Sequence, residues 1–119
     1  MKGFFKFGCP MFEIIIWEKS VELILDTGFN GHLMLSQILI DELDLEQIGI
    51  SDYSTATGEE KTTYVYKCKI KFLDNEIEVP VLSTNADYSL AGMDLFHECK
   101  IVIERHKDFI EIIKNKENI

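Results

Sequence analysis

Basic residues are scarce in this sequence: twelve Lys and Arg stand against twenty-one Asp and Glu, a formal net charge of −9. Binding to a polyphosphate backbone draws on clustered Lys and Arg, so the deficit argues against nucleic acid as a partner. The densest basic stretch, Lys67, Lys69 and Lys71, alternates with apolar residues and reads as the solvated face of one strand. Long apolar runs are also missing. None approaches the roughly 20 residues that cross a bilayer as a helix, so no membrane partner is expected. Residues 1–7 carry Lys6 inside their apolar stretch and no small-residue cleavage site follows, so a secretory signal is not expected either. Cysteine is sparse: Cys9, Cys68 and Cys99 are odd in number and widely spaced, with no Cys-x-x-Cys pair. That pattern suggests neither a disulfide framework nor a zinc knuckle, and it fits a reducing cytoplasm. His97 and Cys99 could share a strand face, but two ligands do not make a metal site; no metal and no other cofactor is expected. With two prolines, no low-complexity segment and no repeat to mark a linker, residues 1–119 are expected to form one domain around one core.

What is present is mostly a β pattern. Residues 12–17 are β-branched and aromatic, Glu18, Lys19 and Ser20 are polar, and residues 21–25 resume the apolar pattern, which predicts a hairpin. Over residues 63–72, Tyr64, Tyr66, Cys68, Ile70 and Phe72 fall on one side of a strand and Thr63, Val65 and the three lysines on the other. Asp74-Asn75 reads as the turn into a partner strand carrying Ile77 and Val79. Residues 101–103 and 109–113 form a third candidate pair across the polar residues 105–108. Only residues 37–45 argue for a full helix, with Ser36 as cap and Leu39, Ile40 and Leu43 on one face. One helix among many strands predicts a mostly β fold.

The sharpest local feature is Asp26-Thr27-Gly28 at the end of the apolar run Leu23-Ile24-Leu25. Carboxylates seldom follow buried strands without a reason. Thr27 offers a hydroxyl, and Gly28 lets main chain approach the carboxylate closely. Far downstream stands Leu90-Ala91-Gly92, two apolar residues and a glycine, running through Met93 and Asp94 into an expected short helix. Asp94 reads as a helix-start or salt-bridging residue rather than a second reactive carboxylate.

On these two elements the sequence resembles the retropepsin-like aspartic peptidases, which pair an apolar-apolar-Asp-Thr/Ser-Gly loop with a later apolar-apolar-Gly segment. Ala91 stands where that family often has a branched residue. The resemblance spans roughly residues 1–113, and Asp26-Thr27-Gly28-Phe29 followed by Gly31 and Leu33 looks like a prokaryotic, single-domain branch. It implies a closed β-barrel with one main helix and a flap hairpin at residues 55–61, forming a symmetric homodimer. It further implies an endopeptidase acting on peptide or protein substrates, with Asp26, Thr27 and Gly28 as catalytic loop and Leu90, Ala91 and Gly92 as its support. Phe29, Thr57 and Gly58 would face substrate, Phe29 being large where the family usually has a small residue. A single Asp-Thr-Gly per chain makes dimerisation part of the chemistry, because a lone carboxylate has no acid partner. The apolar segments at residues 4–7 and 109–113 read as edges that such a dimer would cover.

A rival function is a catalytically silent dimer that binds peptide or regulates, with Phe29 obstructing access. Phosphoryl transfer through Asp26 would need further acidic metal ligands and an α/β sheet, which the pattern does not supply. Ser or Cys nucleophilic catalysis would need a base, and His32, His97 and His106 cannot be placed near a nucleophile from sequence.

Overall fold

The structure is a computed structural model that describes residues 1–55 and 57–115. Ala56, inside the stretch read as a flap, and residues 116–119 of the expected domain lie outside the described residues. In chain order the elements are β1 (Phe4–Lys6), β2 (Cys9–Ile16), β3 (Lys19–Leu25), β4 (Leu33–Ser36), α1 (Gln37–Leu43), β5 (Glu46–Ser54), β6 (Glu60–Phe72), β7 (Asn75–Thr84), β8 (Leu90–Ala91), β9 (Cys99–Glu104) and β10 (Phe109–Lys114). A mostly β fold with one α-helix among the described residues is what the sequence pattern predicts.

The three expected hairpins form as β2–β3, β6–β7 and β9–β10, all antiparallel. The first turns through Trp17 and Glu18 at φ 49 and 65, so that Ile16 pairs with Lys19. Two left-handed residues in a two-residue loop carry the twist that flanking strands need. The second hairpin turns at Leu73-Asp74, φ 50 and 64, one residue before the expected Asp74-Asn75. Burial decides this register. Tyr66, Cys68, Ile70 and Phe72 all point into the core, and a slip of one residue would turn the whole row outward. Tyr64, expected on the same buried side, is 52% exposed. Beyond Tyr66 the strand leaves the core and continues into the β5–β6 hairpin.

Eight strands make one sheet in the order β1-β2-β3-β8-β4-β7-β6-β5, and β2 meets β6 again where Ile15 pairs with Lys71. The sheet thereby curls around a core in which the rings of Phe12, Phe72 and Phe96 meet at centroid distances of 5.5 to 6.2 Å. Helix α1 starts where expected, the Ser36 hydroxyl accepting from the Leu39 N–H at 3.3 Å. It ends before residue 45, because Asp44 turns left-handed at φ 52.

Two expectations need correction. After Gly92 the chain forms successive turns, not a helix: Leu95 N–H bonds to Gly92 O and Phe96 N–H to Met93 O, both at 3.1 Å. These bonds, like that of Cys99 N–H to Phe96 O, reach back three residues and not four, so the segment is a run of turns. The N–H groups of Met93 and Asp94 bond to Phe29 O and Gly31 O, and Asp94 is an exposed turn residue. The C-terminal apolar segment is not a free edge either, whereas β1 is an edge strand of its sheet, paired with β2 alone. The Met1 amino group bonds to Ile112 O at 3.0 Å and Gly3 N–H to Ile110 O at 2.9 Å, which pairs the N-terminus with β10 within the chain and leaves Ile110 and Ile112 buried. No helix among the described residues is long and apolar enough to cross a membrane.

The β2–β3 turn generates a stability prediction. Glu18 is exposed and holds a positive φ that glycine adopts without steric cost, so Glu18→Gly is expected to stabilise the fold by about 0.5–1 kcal/mol. Urea unfolding checks it: the midpoint should rise with the slope unchanged.

Candidate active site

Strand β3 delivers Asp26. Leu25 is buried and pairs in parallel with Ala91 of β8, and the Asp26 N–H extends that ladder by donating to Ala91 O at 2.9 Å. The chain then turns tightly. Gly28 N–H donates to Asp26 Oδ1 at 2.9 Å and Phe29 N–H to Asp26 O at 3.3 Å, so one carboxylate oxygen is held by its own loop. Asp26 is half-buried, while Thr27 and Gly28 are exposed.

Strand β8 also pairs with β4, Ala91 opposite Leu33 and Leu90 opposite Met34, so it lies between the two arms of the Asp26 loop. Gly92 N–H then bonds to His32 O at 2.9 Å and Met93 N–H to Phe29 O at 2.8 Å. Leu90, Ala91 and Gly92 thus run beside the loop and bond to its backbone. The crossing leaves no room for side chains. A Cβ on Gly92 would stand 2.4 Å from Gly31 O and 2.6 Å from the Phe29 ring, and one on Gly31 would stand 2.6 Å from the same ring.

Phe29 fills this crossing. It is 3% exposed, packs with Met34 and Leu82, and meets Tyr53 edge to face at 6.4 Å between centroids. The ring packs inward against Gly31 and Gly92 rather than standing over the cleft, and it still borders the cavity at Asp26.

The β5–β6 hairpin reaches over Asp26. Its tip closes through Thr55 N–H to Glu59 O and Gly58 N–H to Thr55 O, both 2.9 Å, with Gly58 at φ 82. Tyr53, Ser54, Thr55 and Lys61 of this hairpin join Asp26 and Gly28 around a cavity of about 240 Å³. Thr57 and Gly58 sit at the exposed tip, outside the residues that line it. Tyr53, Lys61 and Tyr88 do line it, and no motif marks them in the sequence.

Other chemistries find little here. Burial pushes the Cys68 thiol up to about 11, the opposite of an activated nucleophile. Among the described residues no group of three His, Cys, Asp or Glu is placed to hold a metal ion.

The Phe29 stack generates a second prediction. Phe29→Ala is expected to cost about 3–5 kcal/mol, as buried Phe→Ala changes do, through loss of ring contacts to Met34, Leu82 and Tyr53. Denaturant unfolding of the two proteins reads it directly; a change under about 1 kcal/mol would mean the ring does not hold the crossing.

No family model and no curated protein matches the chain. Solved structures do. A retropepsin-like aspartic protease from Rickettsia conorii superposes with a TM-score of 0.67 at 20% identity, covering 96% of this chain and 88% of that one. The EIAV protease in complex with an inhibitor superposes with a TM-score of 0.60 at 18% identity, covering 75% of this chain and 86% of that one. A foamy viral protease-reverse transcriptase bound to an RNA/DNA hybrid gives a TM-score of 0.54 at 21% identity over 69% of this chain, which spans only 10% of that longer one. At these identities the likeness concerns architecture: the chain has a retropepsin-like fold.

Proposed function

We propose that the chain is one half of an aspartic-type endopeptidase whose site forms when two copies bring their Asp26 carboxylates together. The observation that carries this reading is the placement of Asp26. Its backbone is bonded to Ala91, one carboxylate oxygen is bonded to Gly28, and it lies in a cavity beneath a hairpin long enough to close over a peptide. Similar structures named as proteases support it, one of them with an inhibitor bound.

The chemistry follows from a pair of like charges. Two carboxylates roughly 3 Å apart cannot both ionise, so the pair shares one proton. The ionised member takes a proton from water as the water oxygen attacks the peptide carbonyl carbon, and the protonated member donates to the carbonyl oxygen. Collapse of the resulting diol breaks the C–N bond, its proton passing to the leaving nitrogen. Thr27 and Gly28 are exposed on the same loop and so are open to contact with a second copy. In this reading the sheet is a barrel closed through Ile15 and Lys71, a symmetric homodimer is the working unit, and the three free cysteines suit a reducing cytoplasm.

The silent-binder alternative drew its support from Phe29 as an obstruction above the site. The ring is 3% exposed and borders the Asp26 cavity from within, which favours turnover over obstruction.

Asp26→Asn is expected to abolish cleavage of an unstructured peptide pool, followed by mass spectrometry between acidic and neutral pH, with the circular dichroism spectrum unchanged. The amide keeps the shape but cannot share the proton, and full turnover in this variant would refute the site. Sedimentation at roughly tens of micromolar is expected to show a dimer; a monomer alone under those conditions would remove the two-carboxylate mechanism.

A further inference from the structure

A larger concavity lies beside the one at Asp26. A groove of about 620 Å³ runs along the outer face of β2 and β3 toward α1, with Met11, Ile24 and Leu39 in its walls. Phe7, Ile38 and Tyr88 also line it, although they are 93%, 70% and 53% exposed. Large apolar side chains that converge on one concavity while facing water mark a binding surface.

The position of the groove says what it binds. Tyr88 lines both the groove and the Asp26 cavity. Ile24 in the groove is the ladder partner of Leu90 in the cavity, and paired residues on adjacent strands stand only about 5 Å apart. A chain extended through the cavity therefore continues into the groove without leaving the surface. Charge narrows the class. Glu22, Glu42 and Asp87 line the groove, with Lys6 the one cation among its lining residues. Lys6 pairs with Glu22 at 2.8 Å and Lys19 pairs with Glu42, while Asp87 joins no ion pair among the described residues. Phe7 adds a local signal. It precedes Gly8 in a two-residue turn, at φ 53 and 77, where Asn-Gly is the favoured pair and a solvent-facing phenyl ring contributes nothing to the fold.

We propose that this groove holds the flanking segment of the peptide cleaved at Asp26, and selects segments carrying a bulky apolar side chain next to Lys or Arg. The proposal rests on the peptidase reading for its peptide ligand. The apolar side chain lies against Ile24 and Ile38 under the Phe7 ring, and the cation faces Asp87.

The test uses binding without turnover. Fluorescence anisotropy of the Asp26→Asn protein is measured with a dye-labelled peptide of alternating Leu and Lys, and with its Leu and Glu counterpart. The Leu–Lys peptide should bind at least about tenfold tighter. Ile38→Ser and Phe7→Asn, added singly, should each weaken it several-fold, although neither changes net charge and Phe7→Asn should raise the melting temperature. Equal affinity for the two peptides, or unchanged affinity in both added variants, overturns the groove, because general attraction to a chain of net charge −9 would survive those substitutions. Cleavage by the parent protein is scored separately. If no peptide is cut while these affinities hold, the peptidase reading falls and the groove stands; if cleavage occurs and the variants bind as the parent does, the reverse is true.

Discussion

The structure depends on one crossing of main chain, where the segment from Leu90 to Met93 threads between the two arms that flank Asp26. A loop that dips inward must find a partner for each buried peptide group. Here the N–H groups of Asp26, Gly92, Met93 and Asp94 bond to carbonyls of Ala91, His32, Phe29 and Gly31 respectively. The loop is thus ordered by backbone bonds to a strand that arrives more than sixty residues later in the sequence. Side chains are excluded at Gly31 and Gly92 because the Phe29 ring and the Gly31 carbonyl already occupy the space.

That crossing also links the site to the hairpin above it. The main core gathers Phe12, Leu23, Ile70 and Phe96, while a smaller cluster of Phe29, Met34 and Leu82 packs against Tyr53 and Val65 of the hairpin. The ring that fills the Asp26 loop is therefore the seat of the hairpin base. Tyr53 and Lys61, paired across the hairpin, are held over Asp26 by the same contacts, so loop and hairpin keep their spacing together.

A fold does not confer an activity; specific groups in a specific geometry do. For the proposed peptidase, a single chain supplies half of that geometry. Asp26 is fixed in backbone and in one carboxylate oxygen, yet acid and base roles need a second carboxylate at hydrogen-bond range. The surface around it has two characters, a small cavity bounded by hydroxyls and Lys61 and an apolar groove edged with carboxylates, and Tyr88 stands between them. A substrate lying across both would be read by shape at one end and by charge at the other.

The sequence by itself determined the strand periodicities and the cap on α1, because each is written in local spacing, while the pairing of Asp26-Thr27-Gly28 with Leu90-Ala91-Gly92 was legible only through the resemblance to a known family. Tertiary structure alone decided where Phe29 points, since a phenylalanine after a glycine is apolar whether it roofs a cleft or fills the space between Gly31 and Gly92. It decided that residues 93–98 form turns tied by Met93 and Asp94 to a loop distant in sequence. It also brought Tyr53, Lys61 and Tyr88 to Asp26, and Phe7 to Ile38 across a groove. Those neighbours share no spacing along the chain, and only the curl of the sheet makes them adjacent.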